Sequence, residues 1–321
     1  MENLENIIGE GVKNWKDNYV LSVPFILNVI LSYVLQLLFV IVIVFFVILL
    51  VMIPSSILGG VDFFHLDIAL QNILLTAVVL STVSIAFLVV YLLVGSFLVC
   101  GATGMSLDIL QKGETSVSRM LVYGRRYFRI LFPANILVLL ILVFGEIIIS
   151  GVFFGVPYET DLLSRDNSMF PMGLISVMVG LLFTILYALA VDLVFKPLQF
   201  AVVFSDEGVL SSLKTSYSFF MENKLDLFLI WLIVLIIGVF AYSINVVTSI
   251  FFNLIPLVGP LVSQLLVFVI YLMLAFAVEP VSTLWYAHLY VDRKAGINPE
   301  ALGKAPEPLY HEQARDGRIK Q

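Results

Sequence analysis

The chain has 321 residues, of which 61% are hydrophobic and 12% are charged, and its mean hydropathy is +1.07. Soluble domains contain about 25% charged residues, so this composition excludes a water-facing globular protein. The formal net charge of −6 says little about partners, because in a membrane protein the side on which charges lie matters more than their sum.

The N-terminal stretch MENLENIIGEGVKNWKDNY begins acidic and is amphipathic. It leads into an apolar run that is far longer than the core of a secretory signal, which has about 7–15 residues. We therefore expect the first apolar run to remain in the membrane as a transmembrane span.

Six apolar runs are long enough to cross the hydrocarbon core, which takes about 20 helical residues. They cover about residues 20–53, 69–104, 130–156, 172–203, 227–252 and 260–290. The first run would reach roughly 50 Å as a helix. A steep tilt, a kink at Pro24 or helix ends that project past the bilayer would each accommodate that length.

Basic residues fall almost entirely on one side of the predicted spans. That side holds Lys13, Lys16, Lys112, Arg119, Arg125, Arg126, Arg129, Lys214, Lys224 and the tail from Arg293 onward. The connections on the other side, about 54–68, 157–171 and 253–259, contain one basic residue, Arg165. Since Lys and Arg near spans are retained in the cytoplasm, we expect a plasma-membrane protein with both termini cytoplasmic.

Two connecting segments have a distinct composition. The 157–171 segment is acidic and is expected to be a solvated cap, whereas NLIPLVGP is so short that the fifth and sixth spans should form a tight hairpin. Residues 295–321 are rich in proline, glycine and charge and too poor in apolar residues to fold alone. The predicted domains are a six-span body, 1–294, and a polar cytoplasmic tail, 295–321.

A turn, an amphipathic stretch and a pair of spans recur three times, over about 3–104, 114–203 and 207–290. The amphipathic stretches are NIIGEGVKNWK, TSVSRMLVYGRRYF and VLSSLKTSYSFF. The predicted fold is an all-α integral membrane protein with six transmembrane helices as three α-hairpins, each preceded by an amphipathic helix on the cytoplasmic face. The alternative is that these stretches are ordinary amphipathic loops without a true repeat.

The third stretch places Val209, Leu213, Tyr217 and Phe220 on one face and Lys214 opposite. Such helices lie in the membrane interface, with basic residues toward lipid headgroups. The predicted lipid- or partner-binding residues are Arg119, Arg125, Arg126, Arg129, Val209, Leu213, Lys214 and Tyr217.

The stretch DEGVLSSLKTSYSFFMENKLDLF, which follows KPLQFAVVF, resembles a signature of a large, mostly uncharacterised prokaryotic superfamily of six-span membrane proteins. The opening NWKDNYVLSVPFILNVIL looks like that of archaeal members. This superfamily includes the membrane domain of some glycerophosphodiester phosphodiesterases. The resemblance implies a six-span fold and a membrane location over about 1–294. It does not imply phosphodiesterase activity, because no phosphodiesterase domain is recognisable in this chain.

Four charged residues fall inside predicted spans: Glu146, Asp192, Lys196 and Glu279. Charged groups at membrane depth are costly and are candidate functional residues. Asp192 and Lys196, four residues apart, suit a local ion pair. Lys196 and Glu279 each precede a proline, and matched proline breaks are typical of transporter binding sites.

A structural role for these charges is the alternative. Lys196 and Glu279 can extend their side chains to the interface, and Glu146 can bond an Asn or Tyr of another helix, such as Asn28 or Tyr242. The sequence alone does not decide between the two.

Motifs of enzyme chemistry are missing from the sequence. It has no Gly-rich phosphate loop, nucleophile elbow or HExxH motif. The pair His288 and Asp292 is typical of an interfacial cap, and the lone cysteine, Cys100, together with scattered histidines shows no metal-ligand spacing. We therefore expect no enzyme, metal or cofactor.

Two functions are compatible with these features. The first is a scaffolding or membrane-organising protein whose cytoplasmic helices bind membrane lipids, a second copy or another membrane protein, and no nucleic acid. The alternative is a small transporter or permease that uses Glu146, Lys196 and Glu279 around a cavity. A lipid-processing enzyme would need two convergent catalytic side chains, which the sequence does not indicate.

Overall fold

The computed structural model describes residues 3–52, 68–154, 170–205, 208–256 and 258–294. Within these ranges the chain is helical and contains no strand. The helices are α1 (Leu4–Asp17), α2 (Val23–Met52), α3 (Ile68–Lys112), α4 (Val117–Phe154), α5 (Phe170–Phe195), α6 (Leu198–Ser205), α7 (Val209–Glu222), α8 (Lys224–Asn253), α9 (Gly259–Met273) and α10 (Glu279–Lys294). Most of the predicted acidic cap and all of the predicted tail lie outside the described residues.

Six helical stretches are long and apolar enough to cross a membrane, as the sequence predicts. They are Tyr19–Phe46, Thr76–Lys112, Val117–Phe153, Ile175–Ser205, Lys224–Phe252 and Gly259–Lys294. Large apolar side chains such as Leu37, Phe144 and Phe240 are mostly exposed along them. Because hydrocarbon is the solvent that suits such a surface, the prediction of an all-helical, six-span membrane protein is confirmed.

A kink at Pro24 is one of the three ways in which the long first run could fit the membrane, but the structure does not place Pro24 in the middle of a helix. A short 3₁₀ turn, Tyr19–Ser22, leads into α2, and Pro24 lies in the first turn of that helix. Proline is tolerated there because its missing N–H would have no partner within the helix. Pro24 is therefore part of the first turn of α2, which begins at Val23.

Buried side chains concentrate at one end of the bundle, which we call the packed end. It is formed by α1, the last part of α3, the first half of α4, α6, α7, the first turns of α8, and α10. Its core includes Ile7, Tyr123, Phe204, Leu227 and Tyr290. Beyond this core the spans continue with exposed apolar side chains.

Helices α3 and α4 have the most extensive contact of any pair of described helices. Glycines permit it: the missing side chain of Gly104 is replaced by the Tyr123 ring, and that of Gly101 by Met120. Gly124 of α4 likewise faces Phe97 of α3. The absent Cβ atoms let the two backbones approach closely, as small residues do between membrane helices.

The predicted interfacial helix before the third span is not a separate helix. Helix α4 runs without interruption from Val117 to Phe154 and contains Pro133. Its first turns are held against α3 by the buried Met120 and Tyr123, so tertiary packing favours continuation of the helix. By contrast, α1 and α7 are separate helices that precede α2 and α8.

Helix α1 is fixed to α10 and to the end of α3. Trp285 packs on Gly11 and donates a hydrogen bond from Nε1 to the Ile8 carbonyl at 3.0 Å. At the other end of α1, the Asn18 side-chain amide donates to the Gly113 carbonyl at 3.0 Å. Gly113 follows α3 with φ +80°, a conformation that suits glycine.

Candidate functional site

The fourth span is broken at Lys196 and Pro197. Helix α5 ends at Phe195 and α6 begins at Leu198, so these two residues form a turn between them. Proline has no N–H to continue the helical ladder, and the Pro197 carbonyl accepts the N–H groups of Phe200 and Ala201 at 3.1 and 3.0 Å. The structure therefore places the predicted break in span four.

The sixth span carries a different irregularity before Pro280. Residues Leu274–Val278 form a π-helical turn between α9 and α10. The Phe276 carbonyl within it accepts the Ser22 hydroxyl at 2.6 Å. Such π-bulges occur frequently at functional sites, and this one connects span six to the beginning of span one.

A cavity of about 260 Å³ lies between α3, α4 and the α5–α6 break. Its polar side chains are Asn135, Asp192, Lys196 and Gln199, and its apolar walls include Val99, Leu131, Val138, Val191, Phe195 and Leu198. The Asn135 amide donates to the Ser96 hydroxyl at 2.9 Å. The cavity thus combines two opposite charges and two amides within an apolar wall.

The predicted ion pair between Asp192 and Lys196 is not formed. Asp192 Oδ2 accepts the indole N–H of Trp231 at 2.8 Å, and the Lys196 ammonium lies 5.8 Å from the centroid of the Tyr286 ring. Because α5 ends at Phe195, the side chains do not keep the helical spacing that would pair them. Within the described ranges neither residue makes an ion pair.

Tyr286 packs behind Lys196 and is buried. Its hydroxyl forms no hydrogen bond within the described part of the chain. A buried hydroxyl without a hydrogen-bond partner is unfavourable in an apolar interior. Tyr286 therefore places a polar group that could accept a partner close to Lys196 and the cavity.

The other two predicted intramembrane residues do not line the cavity. Glu279 is exposed at the beginning of α10. Glu146 is half-buried on α4 beside Gly145, which the Tyr187 ring covers. Of the partners predicted for Glu146, Tyr242 is 63% exposed, and no hydrogen bond of Glu146 is found among the described residues. Of the four predicted intramembrane residues, Asp192 and Lys196 therefore line one cavity, whereas Glu146 and Glu279 do not.

Helix α7 does not expose the whole of its predicted apolar face, because Val209, Leu213 and Phe220 are half-buried against the core. Its buried stripe is Ser212, Ser216 and Phe219, and Ser216 donates to the Val194 carbonyl at 3.3 Å. Val209 and Leu213 are half-buried beside this stripe. The outward stripe consists of the exposed residues Leu210, Lys214, Tyr217 and Met221. Small serines allow α7 to approach its neighbours more closely than larger apolar residues would.

Arg119, predicted to face lipid, is engaged with the buried Asp108. Its Nε and Nη2 lie 2.9 and 3.1 Å from the two carboxylate oxygens. Lys112 Nζ and the Tyr123 hydroxyl contact Asp108 Oδ1 at 2.9 and 3.3 Å. The other three predicted arginines, Arg125, Arg126 and Arg129, are exposed. Sequence reasoning missed Asp108, although an acidic residue four positions before a lysine at the end of an apolar run was a usable signal.

Comparison with known proteins assigns the chain to a family. Residues 37–292 match a sequence profile described as a domain of unknown function, DUF7847. The chain belongs to the DUF7847 family. The cavity and α7 both lie within the region that defines DUF7847, whereas α1 precedes it.

This DUF7847 protein is also similar to an uncharacterized protein of Archaeoglobus fulgidus. The two are 24% identical over 307 residues, which cover 91% of this chain and 96% of the relative. No solved structure matches the chain. The expected membership in an uncharacterised family with an archaeal member is confirmed.

Proposed function

We propose that this DUF7847 protein is a non-enzymatic plasma-membrane protein with a scaffolding or membrane-organising role. It would act by binding lipids, a second copy or another membrane protein at the packed end. This end would face the cytoplasm, because the basic residues of the connections gather there. The three predicted hairpins are α2 with α3, α4 with α5, and α8 with α9 and α10. The wider kinship with membrane domains of some glycerophosphodiester phosphodiesterases remains a prediction.

The outward stripe of α7 carries this proposal. Leu210, Tyr217 and Met221 are 75%, 49% and 42% exposed, with Lys214 between them. Their spacing places them on one side of the helix. The stripe is followed by Leu225, which is 76% exposed at the beginning of α8. A membrane interface covers such a surface, with the lysine extending toward headgroups.

Exposed arginines of α4 lie at the same packed end. Arg125, Arg126 and Arg129 of α4 lie on the packed end near exposed Val117 and Leu121. Cations and apolar side chains together favour an anionic lipid surface. Arg119 contributes less in this proposal, because Asp108 already binds its guanidinium.

We expect the variant Leu210→Ser/Tyr217→Ser/Met221→Ser to lose lipids or partner proteins from detergent-free native particles. Each substitution removes apolar area from the outward stripe without touching the buried Ser212, Ser216 and Phe219. Mass spectrometry of the co-purified lipids and proteins provides the measurement. The control is Ser211→Ala/Ser218→Ala, two exposed serines of the same helix. An unchanged set of lipids and proteins in the triple variant would contradict the proposal.

The cavity favours a second function, transport of a small polar solute. Asp192 and Lys196 share a cavity and remain unpaired with each other, as binding residues in a broken helix would be. Glu146, which was also predicted to take part, lies elsewhere. Glu279, also predicted to take part, is likewise outside the cavity lining, so this function is second.

A transporter must expose this cavity alternately to both sides of the membrane. The variant Asn135→Cys should then react with a membrane-impermeant maleimide added to either side of oriented vesicles. The single native thiol, Cys100, is buried and gives little background. Lys214→Cys, on the exposed face of α7, should react from one side only. Labelling of Asn135→Cys from one side alone would exclude alternating access.

A further inference from the structure

The polar cavity presents two opposite charges that the described residues leave without ionic partners. Asp192 receives one neutral hydrogen bond, from Trp231, and Lys196 contacts the face of the Tyr286 ring. Asp192 is also exposed on the surface of the bundle. It lies within the span Ile175–Ser205, where a bare carboxylate facing hydrocarbon is costly. A cationic group that meets Asp192 from outside the chain would remove this cost.

We propose that the cavity binds a zwitterion, with its anionic group at Lys196 and its ammonium group at Asp192. The two side chains sum to no net charge, so a ligand with one charge of each sign matches them. The amides of Asn135 and Gln199 line the same cavity and supply further donors and acceptors. Charge-assisted hydrogen bonds of this kind are about twice as strong as neutral ones.

The size of the cavity limits the ligand. Its volume is about 260 Å³, slightly below the roughly 300–1,000 Å³ of typical small-molecule pockets. A phosphoethanolamine group fits this chemistry, with its phosphate toward Lys196 and its ammonium toward Asp192. Such a group reaches the protein either as the headgroup of a phospholipid or as a free solute without acyl chains.

The walls and the opening favour the lipid source. Val99, Val138 and Phe195 are among the apolar side chains of the wall. Asp192 lines the cavity and is exposed within the span Ile175–Ser205, so a bilayer lipid can reach it. This site is separate from the outward face of α7 and requires no transport, so it can be tested independently of both proposed functions.

Binding can be measured by native mass spectrometry of the full chain in an uncharged detergent. The probes are phosphatidylethanolamine, phosphatidylglycerol, which has no cation, and glycerophosphoethanolamine, which has no acyl chains. We expect phosphatidylethanolamine to bind about tenfold more tightly than phosphatidylglycerol, as one additional charged contact would provide. Binding of glycerophosphoethanolamine as tight as that of phosphatidylethanolamine would identify a free solute as the ligand, and much weaker binding would identify the lipid.

Variants separate the two contacts. Asp192→Asn keeps an acceptor for the Trp231 N–H and should abolish the preference for phosphatidylethanolamine. Lys196→Met should weaken binding of both lipids about tenfold, and Lys196→Arg should restore it. Lys214→Met, the same change on the exposed face of α7, should have no effect. Equal binding of the two lipids to the wild-type protein, or a preference that survives Asp192→Asn, would overturn the proposal, even if Lys196→Met failed to fold.

Discussion

Replacing Arg119 with methionine is expected to lower the free energy of unfolding by about 3 kcal/mol, the lower part of the range for breaking a buried ion pair. Asp108 is 1% exposed, and Arg119 binds it through two nitrogens. Without Arg119, the buried carboxylate keeps Lys112 and Tyr123 as its partners among the described residues. Those two contacts are the reason for expecting the lower part of the range.

The single cysteine provides the measurement. Cys100 is buried in the packed end, so a thiol-reactive dye reports when that end opens on heating. Arg125→Met is the matched control, because Arg125 is an exposed arginine of the same helix and surface changes usually stay within about 0.5 kcal/mol. If the two variants open at the same temperature, the Asp108 network does not stabilise the packed end.

A double variant tests whether Arg119→Met loses stability because the Asp108 carboxylate is left buried without its ionic partner. Asp108→Leu/Arg119→Met removes both charges and leaves no buried carboxylate without its partner. Since apolar replacement of a whole buried pair is often neutral or stabilising, we expect it to be more stable than Arg119→Met alone. A double variant less stable than the single one would mean that the carboxylate is needed for contacts other than the pair.

The sequence predicts the spans well because their signal is local. A run of about 20 apolar residues must cross the membrane wherever the rest of the chain lies. The break at Pro197 was equally predictable, since a missing N–H disturbs a helix in any context. The π-helical turn at Leu274–Val278 lies directly before Pro280, the second predicted proline break. Pro280 has no N–H for the Phe276 carbonyl four residues earlier. That carbonyl accepts the Ser22 hydroxyl, 254 residues away in the chain, and this partner has no local signal.

The orientation of α7 shows where local patterns stop being sufficient. The pattern predicts that Val209 and Leu213 belong to a face that meets lipid, but the structure half-buries them against the core, beside the fully buried Ser212 and Ser216. In a soluble protein the apolar face turns inward to leave water, whereas beside a membrane an apolar face can remain outside. Close packing then favours the small residues inward. The sequence contains both stripes, and only the neighbouring helices decide between them.

The sequence predicts two of the four polar side chains that line the cavity. Asp192 and Lys196 stand out as charges within an apolar run. Asn135 and Gln199 do not stand out, because uncharged amides are less costly at membrane depth. They also lie on different helices, so the sequence does not indicate that they share a cavity. Asp108 was missed because the second predicted span ends near residue 104, whereas helix α3 continues to Lys112. The charge therefore seemed to lie in a loop.

The second large effect is expected at the contact between α3 and α4. Gly104→Ala would place a Cβ atom against the Cβ and Cγ atoms of Tyr123, which cannot swing away as the far end of a flexible side chain can. Overpacking of this kind costs about 1–3 kcal/mol. Gly95→Ala, on the same helix, meets no atom within 4 Å and should be neutral or gain about 0.5–1 kcal/mol from helix propensity. Thermal unfolding followed at Cys100 measures both, and equal unfolding temperatures would show that the glycine contact is not tight.

This contact and the Asp108 network share one side chain, so their effects should not be independent. The Tyr123 ring fills the place of the missing Gly104 side chain, and its hydroxyl lies 3.3 Å from Asp108 Oδ1. A ring displaced by Gly104→Ala would move its hydroxyl away from the carboxylate. Combined with Arg119→Met, the substitution should therefore give a loss that differs from the sum of the single losses by about 0.5 kcal/mol or more. Strict additivity would mean that helix packing and the buried charge are held by separate parts of the packed end.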